Sequence, residues 1–148
     1  MAIFYQNNVG FKIAPITGGT IGSYTELTDH VTSATVNRSL DELDVSAMGA
    51  LGHQFIAGLD ASTISIDLLN DDAASNVMAT LNTLYGTLSA FKLIQNSSVA
   101  ISTTNPVLTG TILVNKITPI AGKIGDVAVQ SLTFTVSGTI TVTNTGTW

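Results

Sequence analysis

The chain is predicted to be mainly β, with two packed antiparallel sheets forming a sandwich or barrel flanked by one α-helix. Three observations predict this. The stretch from Leu132 to Val142 alternates strictly: Leu132, Phe134, Val136, Gly138, Ile140 and Val142 share one face, and Thr133, Thr135, Ser137, Thr139 and Thr141 the other. Period two is the spacing of a strand with one buried and one polar face. Shorter runs of the same kind recur earlier, rich in β-branched residues and bounded by Gly, Pro, Asn or Asp. A single segment carries helical spacing, with Val77, Leu81, Leu84 and Tyr85 at i, i+4, i+7 and i+8.

In chain order, the first 26 residues make an N-terminal segment. Within it Val9 to Ala14 reads as a strand, stopped by Pro15 and the turn Thr17-Gly18-Gly19-Thr20. Val31 to Asn37 alternates Val31, Ser33, Thr35 against Thr32, Ala34, Val36. Asp44 to Met48 and Gln54 to Ala57 are short strands. They flank the loose connection Gly49-Ala50-Leu51-Gly52, so residues 38–52 are expected to form an extended loop or hairpin arm. From Ala61 to Leu69, Ile64, Ile66 and Leu68 alternate with Thr63, Ser65 and Asp67. The helix is expected over about 72–86, with Asn70, Asp71 and Asp72 offering N-cap oxygens and negative charge. Gly86 stands where a left-handed C-terminal residue belongs. Ala90 to Gln95 and Thr109 to Ile117 are further strands. Gly138 inside the last run predicts a bulge or bend, giving one long bent strand or two short ones.

Composition bounds the function. A length of 148 residues suits one domain spanning 1–148. Charged residues make up only 10% of the chain, against about 25% in ordinary soluble domains. Such a sparsely charged, Thr/Ser-rich skin fits a protein that is covered by copies of itself. The net charge is −5, and Lys12, Arg38, Lys92, Lys116 and Lys123 are scattered. Nucleic-acid affinity comes mainly from Lys and Arg on phosphates, so a DNA or RNA binder is disfavoured. The absence of cysteine excludes a disulfide framework and thiolate metal sites. No signal-peptide pattern opens the chain, and no run approaches the ~20 apolar residues of a membrane-spanning helix.

No catalytic constellation stands out, so no enzyme activity and no cofactor are expected. His30 and His53 lie outside any zinc-binding spacing, and the GxSxG elbow is absent. Asp41, Glu42 and Asp44 form a local acidic cluster that reads as a solvated turn, and Asp71-Asp72 is accounted for by helix capping. Neither has the spacing of a calcium loop. Thr17-Gly18-Gly19-Thr20-Ile21-Gly22 lacks the GK[ST] ending of a phosphate loop.

The run Leu27-Thr28-Asp29-His30-Val31-Thr32-Ser33-Ala34-Thr35-Val36, then Asp44-Val45-Ser46-Ala47-Met48-Gly49, then Phe55-Ile56-Ala57-Gly58-Leu59-Asp60-Ala61-Ser62 resembles the tail tube (major tail) proteins of long, non-contractile-tailed bacteriophages. The helix after Asp71, Thr104-Asn105-Pro106 and Pro119 to Asp126 fit the same order, which covers about Leu27 to Val142. Ser46 and Met48 depart from it, since Thr and an aromatic residue are commoner there, and the first 26 residues match poorly. The resemblance implies a structural virion protein without catalytic activity. Hexameric rings of it would stack into the tube that conducts DNA on ejection, built in the host cytoplasm and residing in the virion tail. It implies partners in its own copies and in tape measure, tail terminator and distal tail proteins, with DNA passing unbound and no membrane. The arm would reach the neighbouring ring, placing Arg38, Ser39, Leu40, Asp41, Glu42, Leu43, Met48 and Leu51 at contacts between subunits or rings. Six copies at −5 each carry −30 around a narrow channel, which repels phosphate. Asp41, Glu42, Asp44, Asp67 and Asp126 are the candidates to face that lumen. The alternatives are a capsid decoration protein, a type VI secretion-like tube protein and, more distantly, a ligand-binding β-domain. Against the last, Trp148, Tyr5, Tyr24 and Tyr85 are dispersed.

Overall fold

The computed structural model describes residues 8–148; residues 1–7 of the expected N-terminal segment lie outside it. Strands β1 (Gly10–Thr17), β2 (Thr20–Ile21), β3 (Thr25–Glu26), β4 (Val31–Asn37), β5 (Leu40–Asp44), β6 (Phe55–Asp60) and β7 (Thr63–Leu69) come first. Helix α1 (Val77–Leu84) follows, then β8 (Leu88–Ile94), β9 (Val107–Leu113) and β10 (Val129–Thr143). The architecture is mainly β, with two antiparallel sheets and one helix. Eight strands make the main sheet in the order β2-β1-β8-β9-β10-β7-β4, with β3 also on β1. The second sheet is the hairpin β5–β6.

The main sheet makes two layers by bending on β10. Val129 to Thr135 pair with β7, whereas Val136 to Thr143 pair with β9. At the crossover Gly138 adopts φ 87° and the register slips, so that β10 advances four residues while β9 retreats two. One long bent strand therefore serves both wings. Its apolar face supplies Leu132, Phe134, Val136 and Ile140 to the core, while Thr133, Thr135, Ser137 and Thr139 stay outside. Between the wings lie Phe11, Ile13, Ile64, Ile66, Leu68, Phe91, Ile112 and Val114, joined by Val77, Leu81 and Leu84 of α1. Each of the larger of these side chains contributes ~1.5–3 kcal/mol by leaving water.

Four local expectations are corrected. Pro15 does not stop β1, which runs on to Thr17. Its carbonyl accepts from the Gly22 N–H (2.8 Å) on the side away from β8. The missing N–H points the same way, into the gap between β2 and β3, where no ladder bond needs it. The strand expected at Asp44 to Met48 lies earlier, at Leu40–Asp44. The strand expected to run to Ile117 ends at Leu113, where the Asn115 N–H turns back onto the Leu113 carbonyl (2.9 Å).

The helix, fourth, starts at Val77 rather than near residue 72. Asp71 does not cap it. Its Oδ1 accepts the Ala73 N–H (2.8 Å), and its Oδ2 meets His30 Nε2 (3.0 Å) and Asn76 Nδ2 (2.7 Å). The chain then turns through Ser75 at φ 68°, a left-handed residue that a helix cannot include. Tyr85 leaves the apolar stripe because the backbone there is already extended (ψ 129°), which sends the ring outward.

Candidate assembly interface

The hairpin β5–β6 stands apart from the main sheet and pairs only with itself. Its base is pinned by Ser39, whose Oγ donates to the Ala61 carbonyl (3.0 Å) while its N–H reaches Ser62 Oγ (3.3 Å). Arg38 lies just outside the base and, after the Ser62 hydrogen bonds, helps hold the Asp60 carboxyl below its usual range. Gly58 and Leu59 together oppose Asp41, a bulge in β6. A Cβ on Gly58 would stand 3.0 Å from the Asp41 carbonyl oxygen, so glycine is what permits that close approach. Further out, the ladder continues from Val45 N–H to the Gln54 carbonyl (2.8 Å). Asp44 braces this end: it accepts the Ser46 N–H (2.8 Å) and meets His53 Nδ1 (2.9 Å), and these contacts lower its pKa. The tip turns at Ala47-Met48-Gly49-Ala50, closed by the Ala50 N–H on the Ala47 carbonyl (3.1 Å), with Gly49 at φ 96°.

The apolar residues of this arm face water. Met48 and Leu51 at the tip are fully exposed (106% and 107%), and Leu40, Leu43, Val45, Phe55, Ile56 and Leu59 are about half exposed or more. Exposed large apolar side chains concentrated on one hairpin mark an interaction site. The arm also carries Asp41, Glu42, Asp44 and Asp60 without a Lys or Arg between Leu40 and Asp60. The eight residues named from the sequence, Arg38 to Leu43 with Met48 and Leu51, are thus brought together on one hairpin and its base.

The five acidic candidates are not gathered. Asp41 and Glu42 are neighbours on β5 and so point to opposite faces. Asp126 lies in the loop 115–128, 3.7 Å from Lys123. Asp67 lies in mid-sheet, on the outer face of the wing formed by β4, β7 and the first half of β10. That face is a grid of short polar side chains in three cross-strand rows: Ser33–Asp67–Ser131, Thr35–Ser65–Thr133 and Asn37–Thr63–Thr135. Ser65 and Thr133 hydroxyls lie 3.1 Å apart across it. Asp67 is its one charge. The other wing differs: Lys12 and Lys92 sit side by side on β1 and β8, each over an aromatic ring, Trp148 at 4.6 Å and Tyr24 at 4.7 Å.

Sequence reasoning missed this grid, although each strand's alternation contained it; only the register aligns the rows. It also missed the loop 115–128 as a surface, where Ile120, Ile124 and Val127 are largely exposed. Their signal was apolar residues spaced among Gly and Pro with no strand or helix period. Among the described residues, no group of three or more His, Asp or Glu side chains could hold a metal ion. A cleft of about 520 Å³ opens at the arm's base, lined by Arg38, Asp41, Glu42 and Asp60 among others.

The whole architecture has counterparts. A chain from the tail of an empty gene transfer agent particle, refined helically with C6 symmetry, superposes with a TM-score of 0.65 at 16% identity, covering 91% of this chain and 95% of that one. A chain of the native gene transfer agent virion gives 0.65 at 14% identity, covering 90% and 95%. A chain of the six-fold symmetrised baseplate of the anti-feeding prophage gives 0.62 at 6% identity, covering 96% of both. The chain shares the fold of phage-like tail components. These counterparts come from a tail, a virion and a baseplate. No protein-family signature matches the chain, and no curated protein matches its sequence.

Proposed function

We propose that this chain is a tail tube protein: six copies close into a ring, rings stack into a tube, and the tube conducts DNA. The observation that carries the reading is the β5–β6 arm. It exposes eight large apolar side chains that its own sheet cannot cover, and a neighbouring copy would cover them. The main sheet supports the same conclusion. It ends in open edges at β4 and at β2 and β3, and a closing head-to-tail contact removes such edges. The C6 symmetry belongs to the gene transfer agent tail and comes to this chain only as part of the proposal. A single domain over 1–148 rests on the chain's length; a tail of the non-contractile kind, a virion location after assembly in the host cytoplasm, and contacts with tape measure, terminator and distal tail proteins are what the sequence resemblance implies.

In this reading the lumenal wall is the hydroxyl grid of β4, β7 and β10. Short Ser and Thr side chains with Asp67 bring no positive charge to passing phosphate, whereas the other wing carries Lys92 and Lys12, the latter paired to Glu26 at 3.3 Å. Electron microscopy of the purified chain, beside size-exclusion chromatography, tests the tube. Stacked rings with a central channel are expected. Closed trimers would return the decoration-protein reading. Lysine at Asp67 and Thr133 tests the wall: particles carrying both should eject DNA more slowly, and an unchanged ejection rate would move the lumen elsewhere. A baseplate ring is the second reading, favoured by the prophage counterpart. It predicts single rings that do not stack.

A further inference from the structure

The arm and the loop 115–128 lie at opposite ends of the same strand. The arm leaves the sheet beyond Asn37, which pairs with Thr63 at the start of β7. The loop enters β10 at Val129, which pairs with Leu69 at the end of β7. About 20 Å separates the two ends, at roughly 3.3 Å per residue. The loop is anchored there: Gln130 Nε2 donates to Asn70 Oδ1 (3.0 Å), Asn70 Nδ2 to the Pro119 carbonyl (3.3 Å), and the Thr118 N–H to Gln130 Oε1 (3.3 Å). Gln130 is itself buried. Beyond these anchors Ile120 and Ile124 are almost fully exposed (93% and 105%), flanked by Lys116 and Lys123.

The two poles are complementary. Both expose aliphatic side chains to water. The arm has four carboxylates and no Lys or Arg, whereas the loop has two lysines and one carboxylate. We propose that the loop 115–128 of one copy is the receptor for the β5–β6 arm of the next, with Leu51 and Met48 against Ile120 and Ile124 and the arm's carboxylates facing Lys116 and Lys123. This rests on the tube reading and names the arm's partner surface within it. The cleft at the arm's own base is a poorer receptor, since Asp41, Glu42 and Asp60 outnumber Arg38 there and would repel an acidic arm. Docking between unlike poles about 20 Å apart is heterologous, so it does not stop at a closed pair and can propagate from one copy to the next.

The chain has no cysteine, so every disulfide in an engineered variant reports an introduced contact. Full-length Leu51→Cys and Ile124→Cys, both at exposed positions, are mixed, oxidised by air and run on a non-reducing gel, with circular dichroism to verify folding. The same samples are viewed by electron microscopy. The mixture should give at least tenfold more cross-linked dimer than either variant alone, and the double variant a ladder of oligomers. Adding Lys116→Glu and Lys123→Glu should cut the yield severalfold. Tubes without Leu51–Ile124 cross-links would overturn the loop as receptor and leave the tube standing. Cross-links in Leu51→Cys alone that outnumber those of the mixture would overturn it in favour of an arm-to-arm contact. Neither tubes nor cross-links would overturn both readings together.

Discussion

Among single residues, Asn105 has the greatest reach. It is buried, and it organises the connection from β8 to β9. Its Oδ1 accepts the Asn96 N–H (3.1 Å), and its Nδ2 donates to the carbonyls of Asn96 and Val99 (both 2.9 Å). Asn105→Ala would strand these backbone groups, at a cost of about 1–3 kcal/mol, measurable as a lower urea midpoint with unchanged slope. Asp71 gives a pH signature. Its carboxyl is held below the usual range, first by the Ala73 N–H and then by His30 and Asn76. A carboxylate with a depressed folded pKa adds stability above its unfolded value of about 3.9, and the contribution is lost as pH falls through the folded value. Stability of Asp71→Asn should therefore fall less steeply below about pH 4 than that of the wild type. Urea titrations between pH 5 and pH 2 check the slope, and equal slopes would assign the acid limb to other carboxylates.

At the scale of elements, β10 decides the architecture through Gly138. Nothing lies within 4 Å of where its Cβ would stand, so the constraint is the backbone alone, at φ 87°. Gly138→Val should cost about 1–2 kcal/mol, seen as a lowered thermal midpoint. The alternation of Leu132 to Val142 made this strand legible, and the glycine within it predicted the bend. Val31–Asn37 was legible for the same reason. β5 was not, because Leu40, Asp41, Glu42, Leu43 and Asp44 are all exposed and no buried face imposes a period. The start of α1 was misplaced because Asp71, an apparent cap, is committed to His30 and to its own turn. Pro15 misled because its effect depends on which side of β1 needs a donor, and only the pairing shows that.

For the whole molecule, the sequence predicts an arm over residues 38–52, whereas the hairpin runs on to Asp60 and also exposes Phe55, Ile56 and Leu59. The sequence did not carry which carboxylates share a face, since that follows from register between strands far apart in the chain. The arm also separates stability from assembly. Met48→Asp with Leu51→Asp removes apolar side chains that touch no core, so the thermal midpoint should stay within about 2 °C. Polymerisation should be abolished, read as loss of tubes in electron micrographs. A fall in both would mean that the arm stabilises its own subunit.

β10 is shared by both wings and is the last strand in chain order, and this has a consequence for biosynthesis. Neither wing can finish its hydrogen bonding until its half of β10 has been made, to Thr135 for one and to Thr143 for the other. The arm, complete at Asp60, emerges more than eighty residues before Thr143. At roughly 5–20 residues per second, its apolar side chains wait about 4–16 s on the ribosome beside an unfinished core. Neighbouring ribosomes on one message hold several such arms close together. The arm's four carboxylates, with no cation among them, would then keep nascent chains apart until folding offers each arm its proper seat.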